Sequence, residues 1–229
     1  MEVKSTLLAS LAHDLRTPLT AVSAAVTNLS ISTLGTVERA KQTDVALAGL
    51  NRLTRLFDNI LEMARIDSGG IAPSPVWTNP REVIETARRQ VDLALRGHAL
   101  HIIDHSDAQS VRIDPRLLAP ALAHVLENAA QYSPRGSTIT VTCKPTSDGL
   151  ALIVEDEGAG IAARDMPHLF DRFYRGAESH RHVSGTGMGL AIVQGLLAAQ
   201  GGHVQVSNRD TGGSRVAIYV PAETRSPAD

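Results

Sequence analysis

The chain of 229 residues has room for two ordinary domains, each with its own core. Its 22 Lys and Arg stand against 24 Asp and Glu, and aromatics make up 3%, so neither a global basic field nor the basic and aromatic interleaving of a single-strand nucleic-acid binder is present. One cysteine excludes an internal disulfide framework, and the lack of both a long apolar run and a signal-peptide pattern predicts a soluble, cytoplasmic polypeptide with no membrane contact.

The first predicted element is a helix over 3–31, about 40 Å long at helical rise. Leu8, Leu11, Leu15, Val22, Val26 and Leu29 recur at helical spacing and define one buried seam. His13 stands two residues from both Leu11 and Leu15, about 200° round the helix, which predicts a histidine turned away from the seam. Asp14 is placed to bond one imidazole nitrogen and leave the other as a nucleophile. Arg16 and Thr17 follow one turn on, and Pro18, which lacks an N–H, predicts a bend there. Taken alone, these residues also suit an exposed histidine on a surface helix.

After a break at STLGT, a second helix carries Leu47, Leu50, Leu53, Phe57, Ile60 and Ala64 and ends near Asp67 before SGG. Two long helices with a short connection make an antiparallel hairpin whose seam needs a cover. A homodimeric four-helix bundle is the predicted solution; a single hairpin packed on the downstream domain is the alternative. The Pro-rich IAPSPVWTNP marks the domain boundary, giving domains over 1–72 and 73–225, with Trp77 expected to pack into the second domain. There the pattern predicts a helix over 80–96, strands at HALHIID and SVRID, and a helix over 115–132. Strands at TITVTCK and LALIVED, a helix over 188–200, and strands at HVQVSN and SRVAIYV follow. Helices covering one face of a mixed, largely antiparallel sheet make an α/β sandwich, so the whole chain is α+β.

Two glycine clusters carry the second domain's chemistry. IVEDEGAGI puts Asp156 at a strand end with Gly158 and Gly160 beyond it, and GTGMGL puts Gly185, Gly187 and Gly189 before a helix. Glycine allows close backbone approach, and a helix N-terminus offers N–H groups to phosphates. Neither cluster is a dinucleotide fingerprint or a P-loop, and each alone also suits a structural turn. A carboxylate at a strand end suits the amino group of adenine. On the helix ALAHVLENAAQYSP, Asn128 offers a neutral oxygen to a magnesium ion that also holds substrate phosphates. His180 and His182 lack a third metal ligand at suitable spacing and read as a solvated loop.

LAHDLRTPLTAV, HVLENAAQYSP, DEGAGI, FDRFYRG and GTGMGLAIV, in this order, resemble the H, N, G1, F and G2 boxes of bacterial sensor histidine kinases, and the wording looks most like the potassium-responsive members. The resemblance implies a dimerisation and phosphotransfer hairpin followed by a Bergerat (GHKL) ATP-binding domain. His13 would take the phosphoryl group of ATP and pass it to an aspartate of a response regulator, with phosphatase activity as a further possibility of the family. By the same resemblance Asp156 binds adenine, Asn128 holds Mg2+, and Tyr132 belongs to the nucleotide site. Gly158, Gly160, Gly185, Gly187 and Gly189 become hinges and phosphate contacts of the ATP lid. Arg175 faces the γ-phosphate, and Ser214 stands where the family often has threonine. Thr17 is assigned to dephosphorylation. A family habit of anchoring the parent protein in the inner membrane concerns residues other than these.

Two positions depart from the family pattern: His124 replaces the usual asparagine one turn before the magnesium ligand, and Gln131 replaces a basic residue three after it. Related ATP hydrolases carry a glutamate one turn before the asparagine to activate water. Here Glu127 precedes Asn128 by one residue, about 100° off that face. A dimeric scaffold that binds nucleotide weakly is the competing expectation.

Overall fold

In the computed structural model, residues 2–31, 33–106, 109–176 and 186–225 are described, with side chains at residue 12 and from 15 onward. The chain divides into two compact units, Met1–Ala64 and Arg65–Asp229.

The first unit is a helical hairpin of α1 (Glu2–Leu29) and α2 (Thr36–Asp67), whose last turn counts with the second unit. α1 continues through Pro18 as one helix. The helices approach closely because α2 presents a glycine: a Cβ on Gly49 would lie 2.5 Å from Val22 Cγ2 and 3.3 Å from the Pro18 carbonyl oxygen. Arg39 donates to the carbonyls of Leu29 (2.9 Å) and Ile31 (3.4 Å), serving oxygens that a helix end leaves without intrahelical partners. Among the described residues of the hairpin the buried positions, Pro18, Ala25, Ala46, Gly49, Leu56 and Met63, are mostly small. Much of the apolar seam counted from the sequence faces outward instead, and Leu19, Val26, Leu47, Phe57 and Leu61 are each more than half exposed.

The second unit is built on a five-stranded sheet in the order β2-β4-β5-β7-β6. Its strands are β2 (Ala99–Asp104), β4 (Thr138–Thr146), β5 (Gly149–Glu155), β6 (His203–Asn208) and β7 (Ser214–Pro221). Only β2 and β4 run parallel, because the chain crosses between them through the long helix α5 (Pro115–Tyr132). Ile139, Val141 and Cys143 alternate with half-buried threonines along β4, which gives that strand one core face. α3 (Pro80–Gln90), α5 and α6 (Gly189–Ala199) pack side by side over the sheet. The Cys143 thiol lies in the core, where burial pushes its pKa up to about 12 and leaves it inert.

The helix expected over 80–96 divides at Val91, whose N–H bonds the Arg88 carbonyl three residues back, leaving α3 and the short α4 (Asp92–Leu95). This i−3 bond tightens the turn while Val91 and Leu95 stay buried. SVRID does not join the main sheet. It forms β3 (Ser110–Ile113) at the centre of a small sheet between β1 (Val76–Thr78) and β8 (Thr224–Arg225). Trp77 is 45% exposed rather than packed inside, since only Thr78 of β1 turns to the core. Asp114 ties these parts together. Its buried carboxylate caps α5 through Arg116 N–H (3.0 Å), pairs with the Arg116 guanidinium, and accepts Ser74 N–H at 2.8 Å from the segment before β1.

The end of α2 is also fixed within this unit. The Arg172 guanidinium grips both oxygens of Asp67, a hydrogen bond that holds the Asp67 carboxyl below its ordinary range. A Cβ on Gly195 would lie 2.6 Å from the Ile66 side chain, so glycine in α6 makes room for that neighbour.

Candidate active site

The buried β5 strand, Gly149–Glu155, delivers Asp156 to the edge of the core, where it is 5% exposed. One carboxylate oxygen accepts the Gly158 N–H at 2.7 Å and the Ser214 N–H at 3.2 Å, and the other accepts the Ser214 hydroxyl. The Asp156 N–H donates to the Ser214 carbonyl at 3.1 Å, continuing the β5–β7 ladder by one rung. An aspartate has about four lone-pair sites, so these three bonds leave capacity for an amino N–H of a ligand.

Close packing around this carboxylate requires glycine. A Cβ on Gly158 would lie 2.6 Å from the Tyr132 carbonyl oxygen, which seats the end of α5 against the Asp156 loop while the Tyr132 residue stays 44% exposed. A Cβ on Gly213 would fall 2.0 Å from the Asp156 carbonyl oxygen. Gly160, at φ +76, turns the chain toward Ile161. There Asn208 accepts the Ile161 N–H at 2.7 Å and donates to the Ile161 carbonyl at 2.8 Å. Sequence reasoning missed Asn208, Arg209 and Gly213. The cluster NRDTGGS before β7 was the available signal, since it reads as a hairpin turn reaching back to Asp156.

A second group of polar atoms lies between α5 and the start of α6. At a Cβ placed on Gly189, the three nearest heavy atoms would be Asn128 Nδ2 and Oδ1, both at 3.7 Å, and His124 Nδ1 at 3.8 Å. Glycine therefore keeps a small space open between an amide, an imidazole and a helix N-terminus. Burial pushes the His124 imidazole down to about 4, so at neutral pH it is uncharged and keeps a lone pair on one ring nitrogen. This donor set fits a divalent cation that takes most of its ligands from substrate phosphates and water. Asn128 and Tyr132 are one turn apart on α5, so the two groups share one helix face.

The FDRFYRG segment braces the approach to α6. Phe173 has φ 63 and donates its N–H to the Gly187 carbonyl at 2.8 Å, and a Cβ on Gly187, itself at φ +66, would lie 2.7 Å from the Phe173 carbonyl carbon. A bulky residue in this region costs on the order of 1–3 kcal/mol and persists where surroundings enforce it, often at functional sites. Arg175 is half-buried two residues on. His13, Asp14 and Thr17 lie on α1, with Thr17 exposed; the side chains of His13 and Asp14, together with Gly185, His180 and His182, lie outside the described residues.

The structure thus brings Asp156, Gly158, Tyr132 and Ser214 into one cluster, and Asn128 with Gly189 into the adjoining one. Among the described residues, no helix is long and apolar enough to cross a membrane.

The model of the His Kinase A (phospho-acceptor) domain matches residues 3–69, and that of the Histidine kinase-, DNA gyrase B-, and HSP90-like ATPase matches residues 113–224. Sensor protein KdpD of Escherichia coli strain K12 is 31% identical over 225 residues, which are 97% of this chain and 25% of that protein. Sensor histidine kinase CusS of the same strain is 32% identical over 223 residues, 96% of this chain and 46% of that protein. The chain thus spans less than half the length of these curated relatives. The structure of histidine kinase ThkA in complex with response regulator protein TrrA shares the fold, with a TM-score of 0.73, 17% identity, and coverage of 96% of this chain and 62% of that one. With a phospho-acceptor hairpin followed by an ATP-binding domain, the chain belongs to the sensor histidine kinases, whose catalytic core it carries.

Proposed function

We propose that this chain transfers the γ-phosphoryl group of ATP to His13 and then to an aspartate of a response regulator's receiver domain. The carrying observation is the Asp156 cluster beside the cradle of Asn128 and Gly189, in a chain whose matched phospho-acceptor region contains His13.

In this reading Asp156 accepts the adenine amino group, with Ser214 orienting the carboxylate and Gly158, Gly160 and Tyr132 shaping the pocket wall. Asn128 would hold Mg2+, which when bound would supply positive charge against that developing on the phosphates during transfer. Gly185, Gly187 and Gly189 permit close phosphate approach, and Arg175 supplies a cation to the γ-phosphate. Asp14 orients the His13 imidazole so that its other nitrogen attacks in line. Glu127, about 100° round α5 from Asn128, is poorly placed to activate water, which favours transfer over hydrolysis.

The functional boundary falls between residues 72 and 73. The protein works as a homodimer whose hairpins pair into a four-helix bundle: covering an exposed Leu or Phe of the Leu19, Leu47, Phe57 and Leu61 type stabilises by roughly 1.5–3 kcal/mol. The fold shared with ThkA, a kinase seen with a response regulator, supports a receiver domain as partner. Incubation with Mg·ATP should yield acid-labile, base-stable phosphate on the chain. Nucleotide binding without such phosphate would instead favour a nucleotide-binding scaffold.

A further inference from the structure

His124 is the one donor in the Gly189 cradle that the phosphotransfer reading leaves without a part. Its Nδ1 and the Asn128 Oδ1 would lie 3.8 and 3.7 Å from the same point above the Gly189 Cα, one turn apart on α5 and facing the first turn of α6. Both side chains are half-buried, so little water competes for the space. Imidazole nitrogen and amide oxygen differ as ligands. Mg2+ prefers oxygen and parts with its water reluctantly, whereas the first-row divalent metals gain affinity at a nitrogen-bearing site, least for Mn2+ and more along the series toward Cu2+.

We propose that His124 is a second protein ligand of the nucleotide-bound cation and shifts the site from Mg2+ toward Mn2+ and the later first-row divalent ions. This rests on the ATP-binding reading of the site. The amide of Asn128 and the phosphate oxygens serve either ion. His124 adds a nitrogen ligand from which the softer ion gains more, so the chain discriminates between metals through one side chain. Gly189 borders the device, since a Cβ there would stand in van der Waals contact with both donors, 3.7 Å from Asn128 Oδ1 and 3.8 Å from His124 Nδ1.

The test uses the full chain with Mn2+ and a non-hydrolysable ATP analogue. Electron spin echo modulation of the bound Mn2+ should show a directly coordinated nitrogen whose coupling changes when histidine is labelled with 15N, a readout that needs no variant. His124→Asn should lose that coupling and lower the affinity ratio of Mn2+ over Mg2+ by about 10-fold, the low end of the usual effect of altering a metal's protein environment. Bound Mn·nucleotide with no nitrogen ligand, or an unchanged ratio in His124→Asn, overturns the proposal and leaves the ATP-binding reading standing. A wild-type chain that binds no nucleotide with either ion overturns both.

Discussion

The Asp156 carboxylate is held by the hydroxyl and N–H of Ser214, a residue 58 positions later in the chain at the start of β7. Removing the hydroxyl loosens one carboxylate oxygen without emptying the core. Ser214→Ala should weaken ATP binding by about 5 to 10-fold, less than the roughly 1.5–3 kcal/mol of a hydrogen bond to a charged group because the hydroxyl acts on ATP only through the carboxylate. Titration with a fluorescent ATP analogue reads this directly. Wild-type affinity in the variant would mean that Ser214 does not orient the carboxylate.

His13→Gln should abolish phosphate incorporation while ATP affinity stays at the wild-type value, since nucleophile and nucleotide pocket lie in different units. A variant that still gains acid-labile phosphate would move the acceptor to another residue.

Thr17 stands one turn from His13 on α1 and is exposed, so its hydroxyl can position a water for attack on a phosphorylated partner. Thr17→Ala should keep most autophosphorylation yet slow dephosphorylation of the cognate regulator by about 10 to 100-fold, the rate equivalent of one aligned hydrogen bond. Both activities are measured on the same preparation. An equal loss in each would indicate a helix defect beside Pro18.

Asn208 clamps Ile161 by both backbone groups, next to the positive-φ Gly160. Asn208→Ala should destabilise the chain by about 1–2 kcal/mol and speed amide exchange over residues 158–163. ATP affinity should fall with it, because the wall of the Asp156 pocket is unpinned. Unchanged exchange in that segment would show that the turn holds itself.

Asp114 has a buried carboxylate joined to Ser74 and Arg116. The hydrogen bond from Arg116 is the chief cause of its lowered pKa. A depressed carboxyl contributes stability that is complete above the unfolded value near 3.8 and is lost as pH falls through the lower folded value. Asp114→Ala should therefore cost about 2–4 kcal/mol at pH 7, by losing a helix cap and stranding a Ser74 N–H. The deficit should narrow only below about pH 4. Denaturant titrations at pH 7 and 3.5 check both points, and a deficit independent of pH would assign the loss to packing.

Periodicity and end signals were enough to place the hairpin, α5, α6 and the five strands of the main sheet within a few residues, and the start but not the end of α3, which stops at Gln90. Asn79 and Pro80 open α3 and Asp114 and Pro115 open α5, because caps and prolines act over a single turn and are readable locally. The candidate site was legible as residue types: a carboxylate at a strand end, an amide on a helix, glycines before another helix. Their assembly was not. Asp156 meets Ser214 and Arg209 only because β5 and β7 pair antiparallel, and Gly189 meets Asn128 and His124 only because α5 and α6 pack together. The same holds for β3, whose alternation is that of any half-buried strand and carries no mark of the small sheet it joins. Local sequence determines which element forms and where it stops, since those energies lie within a turn or a strand. Long-range pairing decides which side chains share a space: helix spacing alone puts His124 one turn from the magnesium candidate Asn128, and only the tertiary structure set Gly189 against both.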